Sequence, residues 1–224
     1  MTRRKQMRPA HQPSLVQRIA SWLGTVLVLG AIAFFLLRPS LVPLLYEPQH
    51  GDLIFQSLPH SRLVDTIEGV SGSRWSHCGI VLQEGEDWRV LEAIGPVRKI
   101  SLNDWIGQGR GLGFAAYRLR DSLRDAIPAM VAAAETHLGK PYDAEYEFDR
   151  DKIYCSELIH IAYLEATGQR LGQVQKLGEL DWRPYQKSIL HLARLSEVPL
   201  DREMITPVSL TRAPELELVH RGGW

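Results

Sequence analysis

Cys155 opens a run, Cys155-Ser156-Glu157-Leu158-Ile159-His160-Ile161-Ala162-Tyr163-Leu164, that is apolar on nearly every side. It follows abruptly on a charged stretch containing Glu145, Glu147, Asp149, Arg150, Asp151 and Lys152. The pattern predicts a buried helix with the cysteine in its first turn. Unsatisfied N–H groups and the positive end of the helix dipole favour a thiolate there, and the thiolate is the nucleophilic form. The same residue would also serve as a small apolar side chain in a core helix, because free cysteines are among the most buried residues. The stretch alone leaves both readings open.

A nucleophilic thiol needs a base and a group to orient that base, and both types occur in the middle of the chain. Ser76-His77-Cys78-Gly79-Ile80-Val81-Leu82 has the composition of a strand, Glu84-Gly85-Glu86-Asp87 supplies turn chemistry, and Trp88–Ile94 runs back as the partner. If the turn has two or four residues centred on Gly85-Glu86, Glu92 lies directly across from Gly79. His77 stands two residues from Gly79 on the same face, so Glu92 becomes its diagonal neighbour and can hold the imidazole. Taken singly, neither His77 nor Glu92 distinguishes catalysis from structure. The same parity puts Cys78 on the opposite face with Ile80 and Leu82, as an ordinary core residue, which weakens the idea that the two cysteines pair in an oxidising compartment. A three-residue turn without a bulge would reverse all these facings.

The elements around this hairpin are several short strands with helices on either side in sequence. Gly51–Gln56, Val97–Leu102 and Phe114–Leu119 read as strands, and Pro59–Ser73 as a polar loop. A helix is expected from Asp121 or Ser122 to about Leu138, with Pro128 in its first turns and Gly139 as its stop. Gly168 would terminate the cysteine helix, and Gln173–Arg194 reads as partly helical. Strands in succession rather than in βαβ alternation predict an α+β fold. His137 and His160 fall on predicted helices and are expected to be surface or packing residues. A metal site built from His77, Cys78 and Cys155 is disfavoured, because adjacent strand residues face opposite ways and no fourth ligand stands out.

Composition narrows the function classes. The 26 basic and 26 acidic residues cancel, so nothing in the overall charge suggests nucleic acid, and two cysteines are too few for a disulfide framework. The distribution is uneven: Arg3, Arg4, Lys5, Arg8 and Arg18 precede a run from Ile19 to Leu37 with no charged residue. At about 1.5 Å per residue such a helix matches the hydrocarbon core of a bilayer. The reading is therefore a basic cytoplasmic arm over 1–18, one transmembrane helix over 19–37, a proline-marked linker over 38–50 and a folded domain over 51–224. The positive-inside rule places that domain outside the cytoplasm, on the periplasmic side of an inner membrane. Phe34-Phe35-Leu36-Leu37-Arg38-Pro39 lacks the small residues of a signal-peptide cleavage site, which favours an uncleaved anchor.

Gly139-x-Pro141-Tyr142, followed by Cys155-Ser156 opening a helix, resembles the nucleophile segment of the NlpC-type papain-like cysteine peptidases. Here the histidine precedes the cysteine. That order, with Gly51-Asp52-Leu53-Ile54-Phe55, Ser76-His77-x-Gly79-Ile80-Val81, Glu92-Ala93-x-Gly95-Pro96-Val97 and Tyr154-Cys155-Ser156-Glu157-Leu158, is similar to the circularly permuted YiiX/YebB-like amidases, themselves similar to the lecithin retinol acyltransferase group. The likeness covers roughly residues 50–170. It implies a permuted papain-like α+β fold in which a small antiparallel barrel or sheet packs on the cysteine helix. It further implies Cys155 as nucleophile, His77 as base and Glu92 as the residue orienting the histidine. The chain departs from the ordinary NlpC motif at Tyr154, where aspartate is expected, at Glu157, where glycine is expected, and at Cys78, where valine is expected. The first two departures fit the permuted branch and weaken a specificity for peptidoglycan.

These residues predict a membrane-anchored thiol hydrolase that cleaves an amide bond in a lipid-linked amide, a lipoprotein or a peptidoglycan peptide through an acyl-enzyme, with no cofactor and no metal. Cys155 attacks as thiolate; His77 accepts its proton and later protonates the leaving amine. The backbone N–H of Cys155 is the natural first oxyanion donor, and Tyr142, then Tyr154, are candidates for the second. The alternatives are an acyltransferase or esterase working through the same triad on lipid at the membrane, and a non-catalytic tethered binding domain.

Overall fold

The computed structural model describes residues 22–32, 46–148 and 151–223, and the chain divides into two compact units, Met1–Leu41 and Val42–Trp224. In the first unit, residues 22–32 are helical (α1) and expose Trp22, Leu27 and Leu29. The arm over 1–18 and most of the expected transmembrane segment lie outside the described residues. Among the described residues no helix is long and apolar enough to cross a membrane.

The second unit is built on a six-stranded antiparallel sheet in the order β4-β3-β2-β1-β5-β8. Its strands are β1 (Leu53–Gln56), β2 (His77–Glu84), β3 (Asp87–Ala93), β4 (Val97–Ser101), β5 (Phe114–Leu119) and β8 (Leu216–Gly222). The period-two pattern sorts side chains cleanly to two faces. Leu53, Phe55, Cys78, Ile80, Leu82, Leu91 and Ala115 form one core with α4 (Ile127–Glu135) and α5 (Cys155–Thr167). Ile54, Val81, Val90, Phe114 and Ala116 face the other way and pack with Trp105 and Ile106 of α3 (Leu102–Gln108). The fold is thus α+β as expected, with the cysteine helix against an open antiparallel sheet rather than a closed barrel.

The hairpin turn between β2 and β3 has two residues, because Glu84 pairs with Asp87. Gly85 has φ of 64° and Glu86 is not among the positive-φ residues, the arrangement of a type II′ turn with glycine first. This turn length fixes the facing of every residue in both strands. Asp52, in the loop before β1, is fully buried and accepts hydrogen bonds from Tyr46 Oη at 2.7 Å and Arg118 Nε at 2.6 Å, which ties the start of β1 to β5.

Two expectations shift. Pro59–Ser73 is not simply a loop: Ser61 caps α2 (Arg62–Val70), whose apolar positions Leu63, Val64, Ile67 and Val70 recur at helical spacing. The helix expected from Asp121 starts as a 3₁₀ segment, Asp121–Ala126, and becomes α4 only at Ile127, where Pro128 occupies a first-turn position. The described chain closes with β8, at the end of the strand order beside β5. The region after Gly168, which ends α5 in the left-handed conformation, contains β6 (Gln175–Lys176), α6 (Gln186–Ala193), β7 (Glu203–Met204) and α7 (Pro207–Thr211).

Candidate active site

β2 begins at His77, β3 carries Glu92 and α5 begins at Cys155. The register places Gly79 opposite Glu92, so the His77 ring reaches diagonally across the hairpin, with Nε2 2.6 Å from Glu92 Oε2. Both side chains are buried. Cys155 lies close enough to the His77 ring for the two to act on each other's charge. With Nε2 committed to Glu92, the nitrogen that faces the sulfur is Nδ1. The three residues singled out in the sequence therefore form one continuous chain, Cys155–His77–Glu92.

Glu92 is fully buried and has three partners. Besides His77 it accepts from Gln108 Nε2 at 2.9 Å and pairs with Arg98, whose Nη2 lies 2.9 Å from Oε1. Burial pushes its pKa up, but the hydrogen bond and charge of His77, with the bonds from Gln108 and Arg98, outweigh it and hold the carboxyl below its ordinary range. For His77, burial pulls the pKa down, while hydrogen bonds to Cys155 and Glu92 and their negative charge raise it, leaving it at about 9. Trp105 stacks on the His77 ring at 5.9 Å between centroids. Its indole covers the imidazole with apolar surface, which strengthens the electrostatic coupling beneath.

The Cys155 thiol is held well below its ordinary pKa: a hydrogen bond from the Cys78 thiol lowers it, burial opposes, and His77 lowers it further by hydrogen bond and charge. These effects favour a thiolate–imidazolium pair. Cys78 faces the side expected, a core residue with Ile80 and Leu82, and from there it also influences Cys155 electrostatically. The start of α5 packs on that same face, which brings Cys78 and Cys155 into one core cluster. Burial and hydrogen bonding to Cys155 raise the Cys78 pKa well above the ordinary value, so it stays a thiol.

The two tyrosines separate. Tyr142 is within the electrostatic reach of Cys155, and its hydroxyl is 2.9 Å from that of Tyr146. Tyr146 feels the Cys155 charge as well, and its ring lies tilted against that of Tyr154 at 4.6 Å between centroids. Tyr154 points into the core. It is fully buried, and its hydroxyl accepts a hydrogen bond from the Ile205 backbone N–H at 3.0 Å. Its hydroxyl is thus engaged with the Ile205 backbone. The neighbouring Ser156 engages the same residue by donating to the Ile205 carbonyl at 2.8 Å.

Arg98, Gln108, Trp105 and Tyr146 were not singled out from the sequence. Arg98 had a signal: it is directly opposite Glu92 on β4. Trp105 and Gln108 lie on α3, which the strand-rich reading did not anticipate, and nothing local connects Tyr146 to the cysteine. His137 and His160 are buried packing residues, His160 through Nδ1 to the Leu171 carbonyl at 2.8 Å. Among the described residues no three or more His, Cys, Asp and Glu side chains converge as metal ligands.

A family profile described as permuted papain-like amidase, YaeF/YiiX, C92 family, matches residues 47–220. YiiX of Escherichia coli strain K12, which carries no characterised activity in its name, is 31% identical over 176 residues, covering 78% of this chain and 87% of its own. The crystal structure of YiiX from Escherichia coli O157:H7, titled a metalloprotein, superposes with a TM-score of 0.74 at 31% identity. It covers 79% of this chain and 99% of its own.

Proposed function

We propose, given that the chain belongs to the permuted papain-like amidase family, C92, that it is a thiol hydrolase cleaving an amide bond through an acyl-enzyme on Cys155. The observation that carries this reading is the buried Cys155–His77–Glu92 chain, with its 2.6 Å contact between His77 and Glu92. The thiolate attacks the amide carbonyl, and the backbone N–H of Cys155 at the start of α5, with the Tyr142 hydroxyl, receives the developing oxyanion. His77 holds the proton at Nδ1 and delivers it to the leaving amine, after which water attacks the thioester with His77 as base. Glu92 fixes the ring through Nε2, and Gln108 and Arg98 fix Glu92. The relative titled a metalloprotein raises the question of a metal, but the described residues gather no ligand set for one, and no step here runs through a metal.

An apolar groove indicates the acyl side of the substrate. It lies between Leu63, Ile67 and Val70 of α2 and Ile189 and Leu192 of α6, and Tyr146 lines it. Tyr146 is also bonded to Tyr142, and both tyrosines feel the Cys155 charge, which sets this end of the groove toward the nucleophile. A hydrocarbon chain leaving the carbonyl toward Tyr146 would be buried there, at roughly 0.8 kcal/mol per methylene. This favours an amide-linked lipid or acylated peptide over a muropeptide, and it accords with an anchor over residues 19–37 that would hold the domain outside the cytoplasm at an inner-membrane surface. The test is to incubate the full chain in detergent with N-acyl amides of increasing acyl length and with a muropeptide, following amine release and the mass of Cys155. The reading expects acylation at Cys155 and kcat/KM rising with chain length. Acylation absent from Cys155, or rates indifferent to the acyl chain, would defeat it.

A further inference from the structure

Among the described residues only Leu112, Tyr146 and Arg194 carry a side chain at positive φ; glycine fills the other such positions. Tyr146 sits at φ of 58°, a conformation that glycine adopts freely and that strains a residue with a Cβ. Asp143 holds it there. Its buried carboxylate accepts from the Glu145 N–H through Oδ1 and from the Glu147 N–H through Oδ2, clamping the amides on either side of Tyr146. The Arg202 guanidinium fixes the same turn, donating to the Glu145 carbonyl and pairing with the Glu147 carboxylate. Glycine would make this turn without strain, so the turn is built to present the tyrosine side chain. That side chain has three neighbours. Its hydroxyl is 2.9 Å from the Tyr142 hydroxyl, its ring lies 4.6 Å from that of Tyr154, the residue before Cys155, and it lines the apolar groove between α2 and α6. The backbone ties Tyr142 to the segment that leads into the nucleophile: Tyr142 bridges Ile153 in parallel, and the Ile153 N–H donates to the Pro141 carbonyl at 3.0 Å.

We propose that Tyr146 is a positioning residue that couples the groove to the oxyanion donor: an acyl chain seated against its ring fixes its hydroxyl on Tyr142, and Tyr142 donates to the developing oxyanion. The inference rests on the amide-hydrolase reading of the preceding section. A phenol has a single O–H, so Tyr142 can donate to the oxyanion only when the bond between the two hydroxyls runs from Tyr146 to Tyr142. Donation into the Tyr142 oxygen polarises its O–H and strengthens it as a donor. Tyr146 gives up no proton and forms no covalent bond; it fixes the direction and strength of the Tyr142 bond. The oxyanion develops only on the way to the tetrahedral intermediate, so the effect falls on kcat rather than KM. Through the ring of Tyr146, kcat as well as binding comes to depend on the acyl chain.

The test compares full-length wild type, Tyr146→Phe, Tyr142→Phe and the double variant in detergent, on N-acyl 4-nitroanilides of increasing acyl length, reading nitroaniline release, the mass of Cys155 and denaturant unfolding. Tyr146→Phe keeps the ring against Tyr154 and the groove and removes only the hydroxyl. It is expected to lower kcat about 10-fold, less than the 10²–10³-fold of a direct oxyanion donor, at an unchanged KM. The rise of kcat with acyl length should flatten in it, while KM still falls with length. The double variant is expected to be no slower than Tyr142→Phe, because the two hydroxyls act as one chain. Wild-type kcat in Tyr146→Phe, losses that multiply in the double variant, or a loss confined to KM or to the unfolding midpoint would each overturn the coupling and leave the hydrolase reading standing. A wild type that releases no nitroaniline and stays unacylated at Cys155 defeats the hydrolase reading and the coupling with it.

Discussion

At the scale of the residue, three side chains spread over the 78 positions from His77 to Cys155 are brought near one another because each sits where its element starts or pairs. His77 and Glu92 were legible in the sequence because strand parity is strict once the turn length is known, and the glycine-led turn supplied it. Arg98 was legible by the same arithmetic across the next strand pair. Tyr142 and Tyr154 were not separable from sequence: both precede Cys155 closely, and only the packing of Ile205 decides that Tyr154 is occupied elsewhere. Glu92→Gln keeps a hydrogen bond to His77 but removes the charge that supports the imidazolium. It should lower kcat by about 10²-fold or more with little change in KM, as for other general acid–base groups. Because the His77 pKa is raised, its proton is retained through neutral pH and lost as pH rises through about 9. Turnover limited by protonation of the leaving amine should fall on that alkaline limb in a steady-state pH profile, and in Glu92→Gln the limb should move to lower pH.

At the scale of the element, the hairpin and the start of α5 are the parts that must not move. A Cβ on Gly79, directly across from Glu92, would lie 2.5 Å from Val90 Cγ1 and 3.0 Å from the Leu91 carbonyl oxygen. Gly79→Ala should therefore displace β3 at Glu92, costing about 1–3 kcal/mol in denaturant unfolding. It should also slow Cys155 alkylation near pH 6 in the molecules that remain folded. Tyr154→Phe makes the opposite separation. It strands the buried Ile205 N–H, so stability should drop by about 1–3 kcal/mol, while alkylation of Cys155 in the folded fraction stays near the wild-type rate. Equal losses of stability and reactivity would return Tyr154 to the site. The helix α2 escaped the sequence reading because Gly69, Gly72 and the serines at 57, 61, 71 and 73 carry loop chemistry at its ends and mask the Leu63, Val64, Ile67, Val70 spacing. With α2 unrecognised, the apolar groove had no wall and could not be anticipated.

At the scale of the whole molecule, the order of the parts was the most informative feature of the sequence. A histidine strand ahead of a cysteine helix, with the Gly51-Asp52 and Tyr154-Cys155 segments in between and around, led to the permuted papain-like fold before any contact was known. The profile match over residues 47–220 agrees with it. The C-terminal region was the least legible. β8 is amphipathic only weakly, and its place beside β5 is set by pairing across about a hundred residues, a distance over which sequence pattern carries no register. The proposed anchor is tested on the full chain and on a chain starting at residue 46. The full chain should remain with the membrane fraction after an alkaline carbonate wash, and the shortened one should not. Retention of both would move the attachment into the folded unit.

The account depends most directly on Cys155 being a thiolate because His77 makes it one. The measurement is the rate of iodoacetamide alkylation of Cys155 against pH, by intact mass and peptide mapping, in wild type and His77→Ala. Since its pKa is depressed, wild-type Cys155 should keep its rate on the acid side of the ordinary thiol range of about 8.5, while His77→Ala should react only as pH approaches that range. Equal profiles in the two proteins, or an inert Cys155 in wild type, would contradict the triad and with it the hydrolase.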